Sequence, residues 1–232
     1  MIFRAPVLKV APTTFPYTPD MDIVVAITGA SGALYAQRFI HGCVNAGVNV
    51  HLTISPLGRR LLHDELGMET PNLAALAGVE HEGDHGITLY NYNDVGAKIA
   101  SGSFLHDGMC VVPASSNTLN EIAHGLGGNL IARAAAVTLK ERRKLVIAHR
   151  ETPLSPMDVT AYKLLTDAGA IVAPCNPGFY LNPTSVGEVI DFVAGKLLDL
   201  MGVKHAFDTR WDPKNLRPPA EWERLSTPPD VR

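Results

Sequence analysis

Cysteine and aromatic residues are scarce in this sequence, and their scarcity narrows the classes of protein that it can encode. The 232 residues include Cys43, Cys110 and Cys175, none of them in a Cys-X-X-Cys pair. Three cysteines without paired spacing predict neither a disulfide framework nor a structural zinc site. With 6% aromatic, 19% charged and 46% hydrophobic residues, the composition is typical of a compact α/β protein with aliphatic strands.

Sequence motifs for metal catalysis are missing as well. There is no Asp-Asp dipeptide, so the sequence lacks the aspartate-rich motif with which enzymes of terpenoid diphosphates hold magnesium. His81 and His85 are four residues apart, but neither a helical pattern nor a third ligand accompanies them. We therefore expect no metal cofactor.

Charge and hydropathy argue against two further classes of protein. The formal net charge is −3, and the basic cluster at residues 140–144 contains Glu141, so the concentrated basic surface of a nucleic-acid-binding protein is not predicted. No apolar run approaches the length needed to span a bilayer. Residues 1–20 lack the apolar core of a secretion signal. We predict a cytoplasmic protein that binds neither nucleic acid nor membranes.

Strand-like and helix-like segments alternate along the chain, which predicts a three-layer α/β sandwich with a central parallel sheet. Strands are predicted at residues 24–27, 48–55, 109–113, 145–149 and 170–174. Helices are predicted at about residues 34–47, 57–66, 116–124, 129–142, 156–168 and 186–201. Residues 67–107 are expected to be irregular with one short helix. The predicted organisation is an N-terminal arm at 1–20, one domain at 21–203 and a C-terminal extension at 204–232.

Two small polar turns follow predicted strands and open predicted helices. The first is Thr28-Gly29-Ala30-Ser31-Gly32 and the second is Ser115-Ser116-Asn117-Thr118. A helix N-terminus with glycines and hydroxyls favours a phosphate group, although helix capping alone explains one or two of these hydroxyls. Because carboxyl ends of parallel strands share one edge, the pair of turns suits a mononucleotide.

Charged residues near the fourth predicted strand indicate a second anion site. Arg150 and Glu151 directly follow the apolar strand at 145–149, although a surface ion pair is the simpler interpretation. Arg133 and Lys140 are seven residues apart and therefore share one helical face, which we expect to lie beside the polar turns. Tyr180 could fill the core, but a buried hydroxyl usually needs a partner.

In these and several other short motifs the sequence closely resembles the UbiX-type flavin prenyltransferases over residues 22–212. The matching elements are Gly29-Ala30-Ser31-Gly32, Ser55, Glu65, Ser101-Gly102-Ser103-Phe104, Ser115-Ser116-Asn117-Thr118, Arg133, Leu139-Lys140-Glu141-Arg142-Arg143, Arg150-Glu151-Thr152-Pro153, Pro177-Gly178-Phe179-Tyr180 and Arg210-Trp211. So many matches in one order identify the chain as a member of this family.

The resemblance implies a flavodoxin-like Rossmann-type domain that binds FMN and assembles into a homododecamer. It implies metal-independent transfer of a dimethylallyl group from dimethylallyl phosphate to N5 and then C6 of reduced FMN. The product, prenylated FMN, would serve a UbiD-type decarboxylase.

Residue roles are implied by the same resemblance. The implied FMN contacts are Gly29, Ala30, Ser31, Ser55, Ser115, Ser116, Asn117, Thr118 and Arg150. The implied contacts of the prenyl phosphate are Ser101, Gly102, Arg133, Lys140, Tyr180 and Arg210, some of them from neighbouring subunits. Ser31, Glu65 and Glu151 would take part in proton movement, and Lys140 would stabilise the departing phosphate.

Two departures from the family pattern keep alternatives open. Pro56 follows Ser55 where the family often has lysine. Residues 113–118 resemble the PASANT motif of flavin-dependent cysteine decarboxylases, which need a histidine base. An FMN-dependent cysteine decarboxylase of the phosphopantothenoylcysteine decarboxylase type is therefore one alternative. A non-catalytic flavin-binding subunit of a phenolic-acid decarboxylase is another.

Overall fold

The structure, a computed structural model, describes residues 21–79 and 85–210, and it contains one six-stranded parallel sheet. The strands lie in the order β3-β2-β1-β4-β5-β6. Their bounds are β1 Asp22–Ile27, β2 Asn49–Ile54, β3 Ile87–Tyr90, β4 Gly108–Ala114, β5 Lys144–His149 and β6 Ile171–Val172. The predicted N-terminal arm and residues 211–232 of the predicted extension lie outside the described residues.

Helices cover both faces of the sheet, so the predicted three-layer α/β fold is confirmed. The bounds of the helices are α1 Ala33–Asn45, α2 Pro56–Leu66, α3 Leu73–Ala77, α4 Ser116–Ala123, α5 Leu130–Lys140, α6 Pro156–Asp167 and α7 Val186–Met201, with a short 3-10 helix at Lys98–Ala100. One core joins the sheet to α1, α2, α3 and α7, and the other joins it to α4, α5 and α6. The buried strands consist of almost continuous apolar residues because helices cover both faces of the sheet.

Most predicted elements are found, but the prediction for residues 67–107 is wrong at one place. Ile87–Tyr90 forms β3 at the edge of the sheet, paired only to β2 among the described strands. Thr88 and Leu89 are exposed in this strand, so the sequence shows neither strict alternation nor a long apolar run. The predicted strand at 170–174 is shorter, because only Ile171–Val172 pairs with β5.

The strand order reverses direction between β1 and β4, the two central strands. In open α/β sheets the crevice outside such a reversal, at the carboxyl ends of the strands, is where ligands bind. We call this side of the sheet the carboxyl edge and the opposite side the amino edge. The turns after β1 and β4 both lie at the carboxyl edge.

Gly32 is required where the first turn enters α1. Its φ is 121°, a conformation that L side chains rarely adopt. A Cβ at this position would also lie 2.7 Å from Cδ2 of Tyr35. The turn therefore depends on glycine both for its backbone conformation and for its packing.

In the described part of the chain, no helix has both the length and the apolar character that crossing a membrane requires.

The protein is expected to lose stability as the pH falls below about 6.5. Burial lowers the pKa of His41, His106 and His149 from the ordinary value of 6.5. Such a histidine takes up its proton at a higher pH in the unfolded chain than in the folded one. Its contribution is therefore complete above 6.5 and is lost as the pH falls towards the folded-state pKa. Urea denaturation between about pH 8 and pH 5 measures this loss. A free energy of unfolding that stays constant over that interval would contradict the prediction.

Candidate active site at the carboxyl edge

Thr28 joins the two polar turns directly. Its side chain, 1% exposed, donates a hydrogen bond of 2.8 Å from Oγ1 to the carbonyl oxygen of Pro113 and accepts one of 2.8 Å from the amide of Ser115. The Thr28 amide also donates to the Pro113 oxygen at 3.2 Å. The turn after β1 and the turn after β4 are therefore held side by side, as the sequence predicts.

Thr28→Val is expected to destabilise the protein by about 1–3 kcal/mol, because it leaves the part-buried amide of Ser115 without its partner and the Pro113 carbonyl with only the Thr28 amide as a donor. Thr53→Val is the matched control. Its Oγ1 is also buried, yet it has no hydrogen-bond partner among the described residues. We expect Thr53→Val to be neutral or stabilising in the same urea denaturation experiment. Equal effects of the two substitutions would show that the hydrogen bonds of Thr28 between the two turns do not stabilise the protein.

Glu65 on α2 caps the N-terminus of α1. Its carboxylate accepts hydrogen bonds from the amide of Gly32 at 3.0 Å and from the amide of Ala33 at 2.7 Å. A negative group at this position is stabilised by the helix dipole. These two amides are therefore engaged by a carboxylate and are not free for a phosphate, so an anion at this turn must use groups nearer Ser31. The side chain of Ser31 is exposed.

Ser55 and Gly29 pack the first turn against the start of α2. The Ser55 hydroxyl caps α2 by accepting from the Gly58 amide at 3.0 Å, with Pro56 at the first helical position. A Cβ at Gly29 would lie 2.5 Å from Cβ of Leu57, so only glycine allows this close approach. Pro56 thus fits the helix start without disturbing the Ser55 cap.

The four polar residues of the second turn have different environments. Ser115 caps α4 by accepting from the Thr118 amide at 3.3 Å. Ser116 Oγ lies 3.1 Å from Nε2 of His149. Asn117 is exposed and donates to Glu121 at 3.0 Å, whereas Thr118 is buried. Helix capping therefore accounts for Ser115 and leaves the orientation of Ser116 and Asn117 to other contacts.

Arg150 provides a cationic group at the carboxyl edge beside these turns. Its backbone amide donates to the oxygen of Ala114, at the end of β4. Its buried Nε has no hydrogen-bond partner among the described residues. The guanidinium is close enough to Tyr35 and Cys175 to oppose the rise in pKa that burial causes in both, to about 12 for Cys175. A buried, unpaired guanidinium N–H beside hydroxyl-lined turns fits an anionic cofactor such as FMN. The neighbouring Glu151 is exposed and accepts from the Thr152 amide.

A second group of predicted residues lies together at the amino edge. Lys140 Nζ is 3.3 Å from Glu141 Oε1, and the Gly102 oxygen accepts from Arg143 at 2.8 Å. A Cβ at Gly102 would overlap the Glu141 carboxylate. The hydroxyl oxygens of Ser101 and Ser103, in the same loop, are 2.8 Å apart and hydrogen-bonded. Ser101, Gly102 and Lys140 therefore form one cluster.

This cluster is separated from the carboxyl edge of its own chain, so the expectation that Lys140 lies beside the polar turns is wrong within one chain. Lys140 ends α5 four residues before β5 begins, whereas Arg150 follows the end of β5. Five residue steps along a strand span roughly 17 Å. A lysine side chain cannot cover that distance.

The other predicted phosphate ligands are also dispersed. Arg133 is exposed near the start of α5. Tyr180 is 47% exposed, and its ring packs edge-on against Phe192 of α7. Arg210 pairs with Asp199 in the last turn of α7 at 2.5 Å. One chain therefore does not bring Arg133, Lys140, Tyr180 and Arg210 together.

A buried hydrogen-bonded chain behind the second turn was not predicted. His149 Nδ1 lies 2.7 Å from the Tyr162 hydroxyl, and Nε2 lies 3.1 Å from Ser116. The three residues come from β5, α6 and α4. Nothing in their sequence spacing indicates the contact, because only the packing of α4 against α6 creates it.

The described residues contain no group of three or more His, Cys, Asp or Glu side chains that could hold a metal ion.

This fold and this site define a flavoprotein, and the chain belongs to the Flavoprotein family, whose profile matches residues 17–198. It is 42% identical over 191 residues to the flavin prenyltransferase UbiX of Thermoplasma acidophilum, covering 82% of this chain and all of that protein. The structure is similar to that of AnUbiX in complex with FMN and dimethylallyl pyrophosphate, with a TM-score of 0.73, 36% identity and coverage of 83% of this chain and 97% of the other. It is also similar to a dodecameric FMN-dependent UbiX-like decarboxylase from Escherichia coli, with a TM-score of 0.72, 34% identity and coverage of 83% and 100%.

Proposed function

We propose that this protein is a flavin prenyltransferase that joins a dimethylallyl group from dimethylallyl phosphate to reduced FMN, first at N5 and then at C6. The observation that carries this proposal is the buried Nε of Arg150, which follows β5 at the carboxyl edge and has no hydrogen-bond partner among the described residues. The similarity to named flavin prenyltransferases over most of the chain supports the same reaction.

The carboxyl edge holds FMN in this proposal. Arg150 donates to an anionic oxygen of the cofactor, and the turn at 28–32 and Ser55 accommodate its phosphate end near Ser31. Ser115, Ser116, Asn117 and Thr118 offer hydroxyl and amide groups to the flavin. When bound and reduced, FMN supplies the electron-rich ring atoms that take up the allyl group.

The phosphate of the donor is held by residues from more than one chain. Lys140 with Ser101 and Gly102 lies at the amino edge, and Arg210 lies beside the last turn of α7. These groups reach an FMN site only when another copy of the chain presents them. We infer a homo-oligomer, most simply a dodecamer like the similar E. coli protein.

The chemistry then depends on fixed charges and on three polar groups. Lys140, Arg133 and Arg210 stabilise the negative charge that develops on the departing phosphate, which replaces a metal ion in this role. Glu151 moves protons as the ring closes, because C6 must lose its hydrogen. Ser31 assists in proton movement, and Glu65 holds the turn in place through its contacts with Gly32 and Ala33. Prenylated FMN leaves as the cofactor of a UbiD-type decarboxylase.

The alternative of a cysteine decarboxylase requires a histidine base that the substrate can reach. His149 is the histidine that ends β5 at the carboxyl edge, but it is 1% exposed and its ring lies behind Ser116. The site geometry therefore favours the prenyltransferase.

The proposal is tested by measuring the phosphate released from dimethylallyl phosphate in EDTA. We expect release of orthophosphate with reduced FMN and none with oxidised FMN. A strict requirement for added magnesium would contradict the proposal, and so would equal release without flavin. Running dimethylallyl diphosphate in parallel identifies the preferred donor.

A further inference from the structure

The chain Tyr162–His149–Ser116 links the interior of the protein to the proposed flavin site. His149 is 1% exposed, and its ring lies between the Tyr162 hydroxyl at 2.7 Å and the Ser116 hydroxyl at 3.1 Å. Ser116 is the first residue of α4 and belongs to the polar turn at the carboxyl edge. The imidazole is therefore the direct support of a hydroxyl in that turn.

The direction of the hydrogen bonds follows from the charge state of the three groups. Burial lowers the pKa of His149, and the nearby Arg150 acts in the same direction, whereas Asp158 and Glu151 oppose it. The ring is then neutral at pH 7, with one donor nitrogen and one acceptor nitrogen. Burial raises the pKa of Tyr162, so its phenol keeps the proton and is able to donate to Nδ1. Because Ser116 also lies near the carboxylate of Asp158, which only accepts, we assign the tautomer in which Nδ1 accepts from the phenol and Nε2–H donates to Ser116.

A Ser116 oxygen that accepts from His149 must send its own proton elsewhere. The nearby Asp158 is one acceptor. Burial would raise the pKa of that carboxyl, but hydrogen bonds from Ser155 and, to a smaller extent, from Ser116 lower it. Asp158 already accepts hydrogen bonds from the amide and the hydroxyl of Ser155, at 2.9 and 2.7 Å. The Ser116 proton can therefore turn to a ligand oxygen and leave Asp158 with its other donors.

We infer that His149, held by Tyr162, is a positioning residue that presents the Ser116 hydroxyl as a hydrogen-bond donor to an oxygen of bound FMN. This inference rests on the proposed function. It assigns His149 no contact with the cofactor, because its ring acts only through Ser116. The simpler interpretation is that the ring merely ties α4 to α6, in which case it would affect folding and not the Ser116 contact.

A double-mutant cycle on FMN affinity separates these interpretations, since coupled residues are not additive. The variants are His149→Met, Ser116→Ala and the two combined, with the dissociation constant of FMN measured by fluorescence quenching at pH 7. We expect each single change to weaken FMN binding about tenfold, the value of one hydrogen bond. The combined change should weaken it no further. Fully additive losses, or unchanged affinity in His149→Met, would overturn the inference.

Further measurements distinguish the positioning role of His149 from an effect on folding. His149→Gln, whose amide can replace the Nε2–H donor, should bind FMN within about threefold of the parent, and thermal unfolding without flavin reports any loss of stability. The nitrogen chemical shifts of His149 should show the neutral Nε2–H tautomer, and a doubly protonated ring at pH 7 would contradict the inference. Absence of FMN binding by the parent would overturn the proposed function as well, whereas additive losses would overturn only the positioning role of His149.

Discussion

Arg150→Met is expected to weaken FMN binding by about a hundredfold, because it removes a charge-assisted hydrogen bond between the guanidinium and an anionic oxygen of the cofactor. The unpaired Nε of this residue is the strongest indication of an anion site in the described part of the chain. Methionine keeps much of the length and volume of the side chain, so the substitution removes the charge with little change in bulk. The dissociation constant of FMN, from fluorescence quenching or calorimetry, measures the effect.

Arg60→Met is the matched control for this prediction. Arg60 is on the exposed surface of α2, where it pairs with Asp64 at 3.3 Å. An exposed pair of this kind contributes little, so FMN affinity should not change. If Arg150→Met bound FMN as tightly as Arg60→Met does, the placement of the cofactor at the carboxyl edge would be wrong.

Lys140→Ala is expected to lower turnover by about a hundredfold to a thousandfold, because it removes a fixed positive charge that stabilises the departing phosphate. FMN affinity should not change. Lys163→Ala is the control, since Lys163 is exposed on α6 and pairs with Asp167. Turnover by Lys140→Ala equal to that of Lys163→Ala would exclude Lys140 from the reaction.

The distance between Lys140 and Arg150 within one chain allows a second test of this prediction. Co-assembly of Arg150→Met chains with Lys140→Ala chains should restore activity, because a site can combine Arg150 from one chain with Lys140 from another. At equal mixing we expect about a quarter of the parent activity, since each group is intact in half of the chains. A mixture as inactive as the two separate variants would show that both groups act within one chain.

The residues at the carboxyl edge were predictable from the sequence because the rule that places them is local. Thr28–Gly32 and Ser115–Thr118 each follow an apolar strand, and parallel strands must end at the same edge. The Thr28 contact with Pro113 and Ser115 is the detail that this rule could not supply. It depends on the direct pairing of β1 with β4, in which Ile23 lies opposite Gly108. Thr28 and Pro113 are likewise 85 positions apart along the chain.

Other features of the site required the three-dimensional structure. Glu65 caps α1 from a different helix, so no capping motif at Gly32 indicates it. His149 and Tyr162 are thirteen residues apart and meet only because α6 folds back beside β5. The position of Lys140 follows from the direction of α5, which runs from the carboxyl edge to the amino edge. The helical face shared with Arg133 was predictable, but its distance from the polar turns was not.

The most direct test of the account is the mass and structure of the flavin recovered after reaction. Reduced FMN is incubated with the protein and dimethylallyl phosphate under anaerobic conditions in EDTA, and the flavin is analysed by mass spectrometry and NMR. We expect FMN enlarged by one dimethylallyl unit, with a new C–N bond at N5 and a new C–C bond at C6. Recovery of unmodified FMN from protein that binds both compounds would contradict it.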